Sequence, residues 1–152
     1  MCTAEIILNG SAPGRGVSAY SGNVRVIRAI ARPMLAGVFI AGGMDVLKNP
    51  EPRAKMAKPV VDKVAAAVPV APADPLTAVS VNALVQIGAG GLLAAGIIPR
   101  LASLALAVSI VPTTFAGHRF WEIQDPAQRA QQRTHFLKNT AILGGLLVVA
   151  FD

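Results

Sequence analysis

The sequence predicts an all-α integral membrane protein, folded as an antiparallel bundle of four transmembrane helices. Hydrophobic residues make up 53% of the 152 residues and charged residues only 14%, whereas a soluble domain carries about 25% charged residues. The mean hydropathy of the chain is +0.55. The apolar residues also gather in four long runs with most of the charges between them. Because a single segment in lipid satisfies its backbone hydrogen bonds only as a helix, each run is expected to be helical.

The four apolar runs predict four membrane crossings. A helix needs about 20 residues to span a hydrocarbon core about 30 Å thick. The first two runs have this length, and the other two reach it when they are extended at one end. Asp125 is a favourable helix cap and Pro126 suits a first turn, which sets the start of the last helix. The predicted helices cover residues 26–47, 76–98, 101–120 and 126–151.

Two further segments lie outside the predicted crossings. Residues 1–25 contain several glycines and few hydrophobic residues, so they are expected to form a flexible N-terminal tail. Between the first two crossings, Pro59 and Pro69 delimit a short helix over residues 60–68, whose valines form one apolar stripe. Such a helix is expected to lie in the plane of the lipid headgroups.

An even number of crossings places both termini on one side of the membrane and the long connections, 48–75 and 117–135, on the other. This topology predicts a polar cluster at one membrane face, made of Asp45, His118, Arg119, Trp121, His135, Lys138 and Asn139. The group suits binding of a quinone headgroup, with histidine exchanging protons, or binding of an anion. The alternative is that Trp121 and the long cationic side chains only anchor the helices at the membrane boundary.

Two amide side chains lie inside the second predicted helix. Asn82 and Gln86 are four residues apart and therefore share a helix face. Because an amide at membrane depth is costly unless it is hydrogen-bonded, this face is expected to point into the bundle. The amides then either clamp two helices together or contact a ligand such as a quinone.

The composition also excludes several kinds of site. A single cysteine, Cys2, rules out a disulfide framework and a thiolate metal site. The two histidines lack the spacing of a metal pair on one helix, so no metal site is predicted. The net charge of +6 comes from residues that flank apolar runs, and no nucleic-acid partner is expected. No resident cofactor is predicted, apart from the quinone already considered.

The distribution of cations bears on the orientation of the chain. The side with the long connections carries more Lys and Arg than the side with the termini, which alone would place the connections in the cytoplasm. However, an arginine cluster precedes the first helix without a signal peptide ahead of it, and the first helix often dominates. We therefore expect a multi-pass protein of the cytoplasmic membrane with cytoplasmic termini.

Three segments resemble the DoxX family of membrane proteins. These are ARPMLAGVFIAGGMDVLKNP at residues 31–50, GGLLAAG at 90–96 and HFLKNTAILGGLL at 135–147. The likeness extends over residues 28–151 and is greatest to actinobacterial members. It implies a four-helix membrane protein. Relatives include membrane subunits of archaeal thiosulfate:quinone oxidoreductases and a mycobacterial partner of a superoxide dismutase and a sulfurtransferase.

Three functions are compatible with these features. The preferred hypothesis is a non-catalytic accessory subunit that anchors a redox-related membrane complex, because the chain is small and has no haem motif or nucleotide-binding loop. The second is a quinone-interacting oxidoreductase subunit that uses the polar residues at one membrane face. The third is a small component of a lipid or solute transporter. The expected partners are membrane lipids and other membrane or membrane-associated protein subunits.

Overall fold

A computed structural model describes the backbone of residues 15–152 and the side chains from residue 24 onward. Most of the predicted tail, including Cys2, lies outside the described residues. The part of that tail that is described, from Arg15, belongs to the first helix, so the boundary predicted at residue 25 is too late. The helices are α1 (Arg15–Lys48), α2 (Pro50–Ala67), α3 (Pro75–Ala94), α4 (Pro99–Gly117) and α5 (Pro126–Phe151), with a short 3-10 helix at Phe120–Glu122.

The described chain contains five α-helices, which correspond to the four predicted crossings and the short helix predicted over residues 60–68. Three of them are long and apolar enough to cross a membrane, namely Pro75–Ala94, the segment Pro99–Glu122 and Pro126–Phe151. The first predicted crossing, residues 26–47, lies within α1, which is not among these three. Large apolar side chains on the outside of the bundle, such as Val108 and Val148, are 73% and 70% exposed. This exposure agrees with helices that face lipid.

The long helices pack against each other in antiparallel pairs. In chain order, α1 packs on α3, α3 on α4, and α4 on α5, while α5 returns to touch α1. The core between them is built largely from alanines and from three fully buried leucines, Leu93, Leu106 and Leu146. Small residues let helix backbones come close together, which is how membrane helices gain packing energy.

Two glycines make the close contact between α1 and α3. A Cβ atom added to Gly43 would lie 2.8 Å from the carbonyl oxygen of Ala83, and one added to Gly90 would lie 2.9 Å from Cγ1 of Ile40. Real Cβ atoms do not approach other atoms so closely, so a side chain at either position would displace its neighbour, which is backbone at Gly43 and the Ile40 side chain at Gly90. The neighbouring Gly42 and Gly91 have open space instead.

The helix in the first long connection, α2, is longer than predicted. It runs over Pro50–Ala67 rather than 60–68, and Pro59 lies inside it instead of starting it. Pro50 can start the helix because a first-turn N–H has no intrahelical partner to lose. The helix continues past Pro59, with Ala54 and Ala57 buried, and packs against α3 and α4. Packing therefore overrides the break expected from Pro59.

The turn between α3 and α4 also differs from the prediction. The α3 helix ends at Ala94 rather than residue 98, because Gly96 adopts a left-handed conformation with φ +70°. The N–H of Ile97 donates to the carbonyl of Leu92 at 2.9 Å, and the N–H of Gly96 donates to that of Leu93 at 3.1 Å. These two bonds form a Schellman motif, which ends a helix at a glycine. Pro99 then starts α4.

Candidate functional site

A cavity lies between α2, α3 and α4 in the described part of the chain. Its volume is about 360 Å³, which falls within the range of about 300–1,000 Å³ found for small-molecule pockets. Most of its walls are apolar, and many of them are valines, such as Val60 and Val64 of α2 and Val85 of α3. Val108 of α4 also lines the cavity and is 73% exposed. The cavity is therefore an apolar groove that opens toward lipid.

A ladder of polar side chains lines one wall of this cavity and joins α3 to α4. Gln86 Nε2 donates to the hydroxyl of Ser109 at 3.0 Å, and that hydroxyl donates to Oδ1 of Asn82 at 2.8 Å. Asn82 Nδ2 in turn donates to the hydroxyl of Thr113 at 3.2 Å. The two predicted amides thus bond across a helix interface. Ser109 and Thr113 were missed in the sequence, although their spacing of four matches that of the two amides on an antiparallel neighbour.

Gln86 retains hydrogen-bonding capacity toward the cavity. The residue is only 7% exposed and lines the wall, yet its carbonyl oxygen accepts no hydrogen bond from any described residue. A second polar group is Arg53 of α2, which also lines the cavity and forms no ion pair with a described side chain. The site therefore combines an apolar groove with an amide acceptor in its wall and a guanidinium from α2.

The predicted polar cluster is brought together only in part. His118 follows α4 and His135 lies in α5, and their rings stack with centroids 5.2 Å apart and an interplanar angle of 18°. His118 Nδ1 also lies 2.7 Å from Oε1 of Gln132. If the imidazole donates there, Nε2 is left as an acceptor. This pair is the part of the cluster that the antiparallel packing of α4 and α5 creates.

The other members of the predicted cluster have separate partners. Asp45 lies 3.5 Å from Lys48 on its own helix, and within the described residues no hydrogen bond or ion pair joins it to either histidine. Arg119 pairs with Glu122 at 3.3 Å. Asn139 donates to the hydroxyl of Thr114 at 3.0 Å and so ties α5 to α4. Lys138 is exposed.

Trp121 belongs to an aromatic cluster beside the histidine pair. Its ring lies between 5.2 and 6.2 Å from three phenylalanine rings, those of Phe115, Phe120 and Phe136, in tilted or edge-to-face arrangements. Such contacts stabilise by about 0.5–1.5 kcal/mol per pair. Trp121 remains 49% exposed, which suits a side chain at a membrane boundary. Among the described residues, no three His, Cys, Asp or Glu side chains lie together in a way that would hold a metal ion.

The start of α3 is capped by a carboxylate with a shifted pKa. Asp74 caps the helix, and its carboxylate accepts hydrogen bonds from the Thr77 hydroxyl at 2.7 Å and from the Thr77 N–H at 2.8 Å. These bonds stabilise the charged form and hold the pKa of Asp74 below its ordinary value of 3.8. At α5, Asp125 accepts from the Gln128 N–H at 2.7 Å, which confirms the predicted cap.

Comparison with known proteins identifies one family. The DoxX family model matches residues 27–119. The matched range contains the segments at 31–50 and 90–96 and all of the cavity residues, and it ends before the segment at 135–147. No curated protein and no solved structure matches the chain.

Proposed function

This chain belongs to the DoxX family, and we propose that it is a non-catalytic subunit that anchors a redox-related complex in the cytoplasmic membrane. The observation that carries the proposal is the use of the intramembrane polar side chains. Asn82, Gln86 and Asn139 each donate a hydrogen bond to a hydroxyl of α4. These bonds give the polar groups a structural role, because they hold α3 and α5 against α4 and produce a rigid platform.

The first turns of α5 offer a place for a partner protein. The helix has 26 residues, which at 1.5 Å per residue is about 39 Å, longer than a hydrocarbon core of about 30 Å. Arg129 and Arg133 lie in the first turns and are exposed. Arg129 Nε donates to the carbonyl of Ile123 at 2.8 Å, so this end of the helix is fixed to the preceding connection. We expect an acidic surface of a partner subunit to dock here.

Co-purification from native membranes tests the anchoring proposal. The tagged protein is expected to retain partner subunits at fixed stoichiometry in mild detergent. Arg133→Glu should release them, because it reverses the charge at the proposed contact. Arg25→Glu is the control, since it makes the same charge change at the opposite end of the bundle. Recovery of the protein alone, or equal recovery of partners with both variants, would contradict the proposal.

A second candidate function is quinone binding in the cavity between α2, α3 and α4. The cavity favours it because the apolar walls suit an isoprenoid tail, and the free oxygen of Gln86 suits the hydroxyl of a reduced quinone ring. The second N–H of the same amide could donate to the carbonyl of the oxidised ring. This assignment moves the candidate site from the histidine pair to α3.

Analysis of bound quinone tests the second candidate. The purified protein should retain a quinone, and Gln86→Leu should weaken its retention by about two- to tenfold, the value of one hydrogen bond. Gln128→Leu, on the exposed start of α5, is the matched control. Retention of phospholipid without quinone would argue against this function and favour the handling of lipids.

A further inference from the structure

Arg32 of α1 has a guanidinium group that no side chain from residue 24 onward engages. Its Nε atom is buried and makes no hydrogen bond, and no described residue forms an ion pair with it. The group reaches toward the turn between α3 and α4, because a Cβ atom added to Gly96 would lie 3.4 Å from Nη1 of Arg32. An arginine cannot lose its charge. A partly buried guanidinium therefore needs an anion or another acceptor.

Asp152, which lies at the same end of the bundle as Arg32, is already engaged by two other arginines. Arg28 Nη2 lies 2.6 Å from Oδ2 of Asp152, and Arg100 Nη2 donates to the backbone oxygen of Asp152 at 3.2 Å. Arg28 thus engages the side chain of Asp152 and Arg100 its backbone oxygen, so three guanidinium groups lie at this end of the bundle with one aspartate side chain. The local excess of positive charge is available to an external anion.

A cavity of about 260 Å³ lies beside these arginines. It is formed by α1 and the end of α5. Arg28, Arg32 and Asp152 line it, together with apolar side chains that include Ile27, Val148 and Val149. Ile27 is 63% exposed and Val148 is 70% exposed, so the apolar side of the cavity opens outward. The cavity therefore joins a cationic end to an apolar groove.

We propose that this cavity binds the phosphate of an anionic lipid. The guanidinium group of Arg32 donates to the phosphate oxygens, for which the planar guanidinium is well suited. Arg28 stays paired with Asp152 and adds positive charge to the same cavity. An acyl chain lies along Ile27 and Val148. The position fits a headgroup, because the site lies where α5 ends and α4 begins, and basic pockets between membrane helices bind anionic headgroups.

Lipid competition in nanodiscs tests the proposal. The full chain is reconstituted in phosphatidylcholine with or without phosphatidylglycerol, and bound lipid is counted by native mass spectrometry. Phosphatidylglycerol should bind preferentially to the wild-type protein. Arg32→Gln should weaken that binding by about tenfold or more, as expected for the loss of charge-assisted hydrogen bonds. Arg25→Gln, an exposed arginine of the same helix outside the cavity, should change it by less than about twofold on the same scale.

Two further arms distinguish the alternatives. Equal binding of the two lipids by the wild-type protein would overturn the proposal, whether or not the Arg32 variant folds. An equal loss with Arg32→Gln and Arg25→Gln would also overturn it, because the attraction would then belong to the whole surface. Inorganic phosphate in a phosphatidylcholine disc should not raise the unfolding temperature. If inorganic phosphate raised the unfolding temperature as much as phosphatidylglycerol does, the site would bind a free anion and the proposal of a lipid ligand would be overturned.

Discussion

The contact between α1 and α3 predicts a large difference between two adjacent glycines. In Gly43→Ala, the new Cβ would lie 2.8 Å from the carbonyl oxygen of Ala83 and 2.9 Å from Cγ1 of Ile87. The first neighbour is backbone, so relief requires the helices to move apart. In Gly42→Ala, nothing lies within 4 Å of the new atom. The two substitutions are otherwise alike, since both replace glycine by alanine in the same helix.

The magnitude follows from two opposing terms. Overpacking a tight contact costs about 1–3 kcal/mol, whereas alanine is favoured over glycine in a helix by about 1 kcal/mol. Gly43→Ala should therefore lower the free energy of unfolding by up to about 2 kcal/mol. Gly42→Ala should leave it unchanged or raise it by up to about 1 kcal/mol. The difference between the variants isolates the steric term, because the propensity term cancels.

Unfolding in mixed micelles measures this difference. The protein in mild detergent is titrated with sodium dodecyl sulfate, and the loss of helix is followed by far-UV circular dichroism. The midpoint for Gly43→Ala should fall below that of the wild type, and the midpoint for Gly42→Ala should not. Equal midpoints for the two variants would refute the close packing of α1 on α3.

Three further predictions concern the hydrogen bonds between α3 and α4, the cap of α3 and the membrane topology. Ser109→Ala breaks two interhelical hydrogen bonds and should lower the free energy of unfolding by about 1.2 kcal/mol, at about 0.6 kcal/mol for each bond. Ser103→Ala loses only a bond within its own helix and should cost less. Equal costs in the same titration would contradict the proposed link between α3 and α4. Asp74→Ala should destabilise the protein at neutral pH. Because the folded-state pKa of Asp74 is lowered, the destabilisation should fade as the pH falls below about 4. The same titration repeated at several pH values measures this, and a destabilisation that does not change with pH would argue against the cap. With Cys2 replaced, cysteines at Lys58 and Ile97 should react with impermeant reagents from opposite compartments of sealed vesicles, and position 97 should react from the cytoplasmic one. Labelling of both positions from the same side would overturn the predicted crossing of the membrane between them.

Much of the helical architecture could be predicted from local chemistry. The start of α5 was predicted at Pro126 because Asp125 and Pro126 act within one turn, and the structure confirms it. The end of α3 was predicted too late, although Gly96 carries the signal that ends it. The length of α2 was also underestimated, because Pro59 was treated as a boundary and its tolerance depends on packing against α3 and α4.

The candidate sites were less predictable. The facing of Asn82 and Gln86 toward a neighbouring helix was predicted from spacing. Antiparallel order predicted only that the two histidines share a membrane face, and their stacking was not predicted. Asp45 pairs with Lys48 of its own helix, and membership of the same membrane end does not fix which helix face a residue occupies. Arg32 and Arg53 were not predicted as ligand contacts, because cations beside an apolar run are common in membrane proteins.

Composition and hydropathy were sufficient to identify a helical membrane protein and to place its polar amides inside the bundle, because a bilayer penalises every unpaired polar group along the chain. Only the packing decided which side chains meet. Helix rotation and close approach depend on contacts between residues far apart in sequence, such as Gly43 with Ala83 and Gln86 with Ser109. The cavities arise from the same contacts, since each is bounded by helices that no local pattern brings together.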